Sequence, residues 1–91
     1  MPVTIQLPSV LAPLAGGQRE VAADGATVRE VVARLGERFP HLMPRLVDGS
    51  GAVYPFVALY LNDEDIRFLG GLDAAVVDGD EVAVVPAVAG G

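Results

Sequence analysis

The chain has 91 residues, 52% of them hydrophobic and 20% charged, which fits one small globular domain with a single core and excludes a disordered chain. Twelve acids against six basic residues leave a net charge of −6, so nucleic acid is a poor partner and a basic protein surface is the better match. The absence of cysteine excludes disulfides, thiolate metal sites and a thiol nucleophile, and all six basic residues are arginine, so no side-chain amine is available for isopeptide branching.

Met1-Pro2-Val3 leads straight into strand-forming residues, with no basic segment and long apolar run ahead of it, and no stretch approaches the length of a membrane span. A cytoplasmic protein with no membrane partner is expected. Val3-Thr4-Ile5-Gln6-Leu7 alternates apolar and polar residues, the period of a half-buried strand with Val3, Ile5 and Leu7 facing the core. Pro8 and Pro13 bracket a long loop, Gly16-Gly17 marks a turn, and residues 18–22 return as a strand with Arg19 and Val21 on one face. After the Asp24-Gly25-Ala26 turn, Thr27-Val28-Arg29-Glu30 matches a capping box. The Thr27 hydroxyl accepts from the Glu30 N–H, and the Glu30 carboxylate reaches back to the Thr27 N–H. Val28, Val31, Val32, Leu35 and Phe39 then form one helical stripe, which Pro40 ends near Phe39.

Residues 41–47 read as a short helical turn or loop, and His41, without a second ligand at metal spacing, reads as a surface residue. Asp48-Gly49-Ser50-Gly51 is a loop. Residues 56–61 are apolar on both faces, as a central strand requires, with Val57, Leu59 and Leu61 on one face and Phe56, Ala58 and Tyr60 on the other. Asn62-Asp63-Glu64-Asp65 is a polar turn that lacks the spacing of a calcium loop, and Ile66-Arg67-Phe68 reads as a short strand. Gly70-Gly71-Leu72 is a turn without the pattern of a phosphate loop. Asp78-Gly79-Asp80 turns into a last strand over residues 81–85, and Pro86, having no N–H, is expected to stop the ladder.

The order β-β-α-β-β-β predicts an α+β fold of β-grasp layout: a mixed sheet with one main helix on one face, and residues 3–7 and 81–85 paired in parallel at its centre. Residues 1–85 form the domain, and residues 86–91 a flexible tail of small residues reaching roughly 17–20 Å if extended. Two readings of the tail compete, a frayed terminus and a working end whose reactive group is the α-carboxylate of Gly91. Phe56, Ala58 and Tyr60, with Val85 beside them, are candidates for partner docking, against an equal alternative in which loops cover them as core. Asp78 and Asp80 are candidates for basic partner residues, although turn chemistry alone accounts for them. No nucleophile–base pair or metal cluster points to an enzyme.

The Asn62-Asp63-Glu64-Asp65-Ile66-Arg67 turn, Asp78-Gly79-Asp80-Glu81-Val82 and the Ala87-Val88-Ala89-Gly90-Gly91 end together resemble the ThiS/MoaD group of ubiquitin-like sulfur carriers over essentially the whole chain. Within that group the resemblance is to the carriers for cysteine synthesis in actinobacteria. It implies a carrier that is not itself an enzyme and binds no cofactor. An E1-like adenylyltransferase/sulfurtransferase would activate Gly91 with ATP and convert it to a thiocarboxylate, with Gly90, Ala89 and Val88 lying in the partner's channel. A PLP-dependent cysteine synthase would take the sulfur, and a JAMM-type metallopeptidase, which carries its own metal, would release the product. The group also contains the molybdopterin-synthase small subunit and carriers for thiamine and specialised metabolites, and a ubiquitin-like protein modifier is a further possibility.

Overall fold

A computed structural model describes residues 2–86 of the chain. Strand β1, Val3–Gln6, buries Val3 and Ile5, with Leu7 just beyond it, as the alternation requires. The same face continues through Val21 and Ala23 of β2 (Glu20–Ala23), Val57, Leu59 and Leu61 of β3 (Val57–Leu61), and Val82 and Val84 of β5 (Glu81–Pro86). Helix α1, Val28–Arg38, closes that face with Val28, Val31, Val32 and Leu35, and Leu42 and Leu46 complete the core around the short helix α2, Met43–Leu46. β4 is only two residues, Glu64–Asp65.

The sheet order is β2-β1-β5-β3-β4. β1 and β5 run parallel, with Ile5 opposite Val82, and the remaining pairs are antiparallel. Parallel neighbours need a crossover rather than a tight turn, and here the chain from 7 to 80 provides it. This is the β-grasp arrangement expected from the element order.

Local details depart from the sequence reading for identifiable reasons. The second strand starts at Glu20, so Arg19 lies outside it and is exposed; its carbonyl still accepts from the Leu7 N–H at 2.8 Å. The loop before it winds a 3-10 turn, Ala12–Ala15, that buries Leu11, Ala12 and Ala15. The Thr27 hydroxyl accepts from the Glu30 N–H at 3.2 Å as expected, but the Glu30 carboxylate takes the N–H of Ala26 at 3.0 Å, not that of Thr27. Backbone bonds from Val28 to Ala74 and from Val76 to Ala26 hold the segment before the helix in place, with the Ala26 N–H within the carboxylate's reach. Ile66–Phe68 is a 3-10 turn, not a strand, because the Asp65 carboxylate caps it by accepting from the Arg67 N–H at 2.9 Å. The last strand runs one residue further than expected: Pro86 belongs to β5 and sits opposite Val57. A proline lacks a donor but keeps its carbonyl, so it can occupy a strand's last position.

Leu35 is 1% exposed in the middle of the helix–sheet contact. Leu35→Ala is expected to remove about 2–5 kcal/mol of stability, read as a lower urea midpoint with an unchanged slope.

Candidate functional site

The two acidic turns seen in the sequence form one structure. The hairpin between β3 and β4 turns through Asn62 and Asp63, both in the left-handed region at φ 49° and 71°. Asn and Asp tolerate that conformation better than other residues with a side chain, and the two-residue hairpin turn calls for it. The Asn62 N–H donates to the Glu81 carbonyl at 2.9 Å, and its side-chain oxygen accepts from the Glu81 N–H at 3.0 Å. The Asn62 amide donates to the Asp80 carboxylate at 3.0 Å, whose other oxygen accepts from the Val77 N–H at 2.9 Å. The Asp80 carbonyl in turn accepts from the Thr4 N–H at 2.9 Å, and the Gln6 amide bonds the Glu81 carboxylate. Residues of β1, the β3–β4 hairpin and the 78–80 turn are thus latched around the first residue of β5. Asp80 serves as the internal acceptor of its turn.

At its other end β5 reaches Pro86, opposite Val57. Its outer face pairs Val85 with Ala58 and Ala83 with Tyr60 across the strands. Ala58 and Tyr60 are half-buried, while Val85 is 45% and Phe56 52% exposed. Phe56 lies one residue before β3 and stacks on Tyr54, ring centroids 4.8 Å apart. The face is therefore an apolar strip of small and aromatic side chains beside the strand that leads to the terminus. Gly91, Gly90, Ala89 and Val88 lie outside the described residues.

Three features escaped the sequence reading. Asp65 is buried and paired with Arg67, Nη2 to Oδ2 at 2.7 Å with a second contact through Nε. That guanidinium, then the Arg67 N–H, holds the Asp65 carboxyl below the usual carboxylate range, and the carboxylate raises Arg67 in return. An Asp-x-Arg spacing after a hairpin turn is the only local signal for this pair. A groove of about 300 Å³ lies between β3 and the segment after β4, lined by Tyr54, Val57, Leu59, Ile66 and Leu72 among others. Phe68, next to it, is 79% exposed. His41 is on the surface, and among the described residues no three His, Cys, Asp or Glu side chains converge on a possible metal position.

The carboxylates make stability depend on acid. Asp80 is held below its ordinary value of 3.8 by the Val77 N–H and then the Asn62 amide, and Asp48 by the Ser50 hydroxyl and N–H. A depressed folded pKa contributes stability that is complete above the unfolded value and is lost as pH falls through the folded one. Unfolding midpoints of the wild-type chain are expected to hold above about pH 4 and drop below it. Asp80→Asn is expected to be less stable at pH 7 and to lose less on acidification, as measured by urea titration across pH.

The ThiS family matches residues 5–91. The sulfur carrier protein CysO of Mycobacterium tuberculosis is 46% identical over 93 residues, covering all of both chains. Among solved structures, a chain of the Amycolatopsis orientalis BexX/CysO complex superposes with a TM-score of 0.91 at 44% identity, covering 98% of this chain and 99% of that one. The small archaeal modifier protein 1 of Haloferax volcanii superposes with a TM-score of 0.85 at 31% identity over the full length of both. With the family matched through the latch and up to the last residue, and a full-length likeness to CysO, the chain belongs to the ThiS family and is a sulfur carrier of the CysO type.

Proposed function

We propose that the chain carries sulfur as a thiocarboxylate on Gly91 for cysteine biosynthesis, in the cytoplasm. The observation that carries this reading is the family match, which extends to Gly91 itself, on a chain whose relatives include CysO over its whole length. Chemistry gives the order of steps. An α-carboxylate with a pKa of about 3.3–3.7 is ionised at neutral pH and resists nucleophilic attack. An E1-like enzyme joins it to the AMP portion of ATP, releasing pyrophosphate. Sulfide then attacks the carbonyl, AMP leaves, and Gly91 ends in a thiocarboxylate.

That sulfur adds to the β-carbon of an aminoacrylate on a PLP-dependent cysteine synthase. An S-to-N acyl shift leaves cysteine joined to Gly91 by an amide. A JAMM-type metallopeptidase uses water to cleave that amide, returning the carboxylate. The metal and PLP belong to the partners; this chain contributes the sulfur and a terminus with no side chain in its last two residues. Holding the sulfur on a tether raises its effective concentration at the acceptor.

The partner's channel takes Val88, Ala89 and Gly90, while the outer sheet face, Phe56, Ala58, Tyr60 and Val85, meets the body of the partner. A second reading, protein modification, draws on the resemblance to the small archaeal modifier protein; in it Gly91 would end in an isopeptide bond to another protein's lysine. The chain has no lysine of its own, so it would attach as single units through side chains and not as lysine-linked polymers.

With the adenylating enzyme, ATP and sulfide, the wild-type chain is expected to gain mass corresponding to one oxygen replaced by sulfur, and Gly91→Ala or a chain lacking Gly91 is not. Normal conversion of either variant removes Gly91 from the role. Val85→Glu is expected to raise KM for the same conversion roughly tenfold with little change in melting temperature, since Val85 is exposed. An unchanged KM removes the outer face from that encounter.

A further inference from the structure

The groove beside β3 has a structural origin. β4 pairs only with Tyr60 and Leu61, so β3 from Val57 to Leu59 has no strand neighbour on that side. The chain swings away through the Ile66–Phe68 turn and returns through Gly71–Asp73, with Gly70 and Gly71 at φ 100° and 72°, a conformation in which glycine is least strained. What remains is a trough of about 300 Å³ with apolar walls. Its rim carries two arginines, both already matched: Arg29 lies 3.2 Å from Asp73, and Arg67 2.7 Å from Asp65. The rim therefore offers no free cation for a phosphate or carboxylate ligand. Phe68, between the lining residues Arg67 and Gly70, is 79% exposed, the highest value among the exposed large hydrophobic residues described.

Resting on the carrier reading, we propose that this groove and Phe68 form a second docking surface, for a partner protein that inserts one bulky apolar side chain into the trough, covers Phe68 and presents basic residues around them. Two observations choose the occupant. Ala58 lines the groove and also stands opposite Val85 on the outer face, so the two surfaces are continuous around the edge of β3. A partner seated at the tail exit reaches the groove without a separate encounter. Charge favours a different protein over a second copy. The groove's own charges balance, Arg29 and Arg67 against Asp73 and Asp65, but the adjoining hairpin adds Asp63 and Glu64 with no arginine to match them, within a net charge of −6 for the whole chain. Another copy would bring the same excess, whereas a basic rim is attracted. Exposed aromatics next to a concave apolar pocket have the form of an interface anchor and its socket.

The probe is BexX of Amycolatopsis orientalis, whose complex contains a chain 44% identical to this one. On titration of the isotope-labelled chain with BexX, the amide signals of Phe68, Gly70, Gly71 and Leu72 are expected to shift along with those of the outer face. Phe68→Ala is expected to weaken binding roughly tenfold or more, with the melting temperature held, and added salt to weaken the wild-type complex. Equal affinity of wild type and Phe68→Ala, or shifts confined to the outer face, overturns the proposal. Self-association of the chain alone that Phe68→Ala abolishes assigns the patch to a second copy and overturns it as well. Failure of BexX to bind the wild-type chain also counts against the surface; the mass of the thiocarboxylate on Gly91 then decides separately whether the carrier reading falls with it.

Discussion

Parallel pairing of the first strand with the last is the constraint on which the rest of the molecule depends. β1 and β5 can lie side by side in the same direction only if the whole intervening chain crosses over, and α1 supplies the cover that this crossover needs. The pairing puts β5 at the middle of the sheet, with β1 on one side and β3 on the other. A central strand is among the last parts of a small domain to open, so β5 up to Pro86 is held by the firmest part of the sheet. The Asn62–Asp80–Glu81 latch adds a second restraint at the opposite end of β5, so that a pull on the terminus meets both the sheet and the hydrogen-bonded turn.

That arrangement separates two tasks. In the proposed function the body supplies a fixed point and surfaces, and the chemistry falls to the terminus and to other proteins. Fold alone does not decide between sulfur transfer and protein modification, since CysO and the archaeal modifier share this architecture at high TM-scores. What differs between such uses is which partners the surfaces admit. The latch explains why the two acidic turns are such a visible signature: their side chains bond each other, and substituting one breaks a structure in which three segments participate.

Much of the fold could be read from the chain because local chemistry and tertiary packing agree. Val3, Ile5 and Leu7 alternate and are all buried; Thr27 caps α1; Val57, Leu59 and Leu61 face the core. The short apolar run Ile66–Phe68 misled because three residues fit a strand and a turn equally well, and the deciding group was the carboxylate of Asp65. The last strand was read one residue short because the missing N–H of Pro86 matters less at the end of a strand than in its interior. The latch was invisible as such, since Asn62 and Asp80 are 18 residues apart and each has an ordinary turn explanation alone. The groove was invisible for the same reason, being made by where the 66–73 segment passes relative to β3. The role proposed for Gly91 came from the resemblance of the whole pattern and not from any property of two glycines.

The central claim is that sulfur travels on the last carbonyl of this chain. Top-down mass spectrometry of the chain isolated from sulfur-replete cells of its own host, with fragmentation through residues 86–91, tests it most directly. The account predicts a species in which one oxygen is replaced by sulfur, localised to the terminal carboxyl of Gly91. A chain bearing sulfur elsewhere, or only an unmodified terminus under conditions where its partners are active, would contradict it.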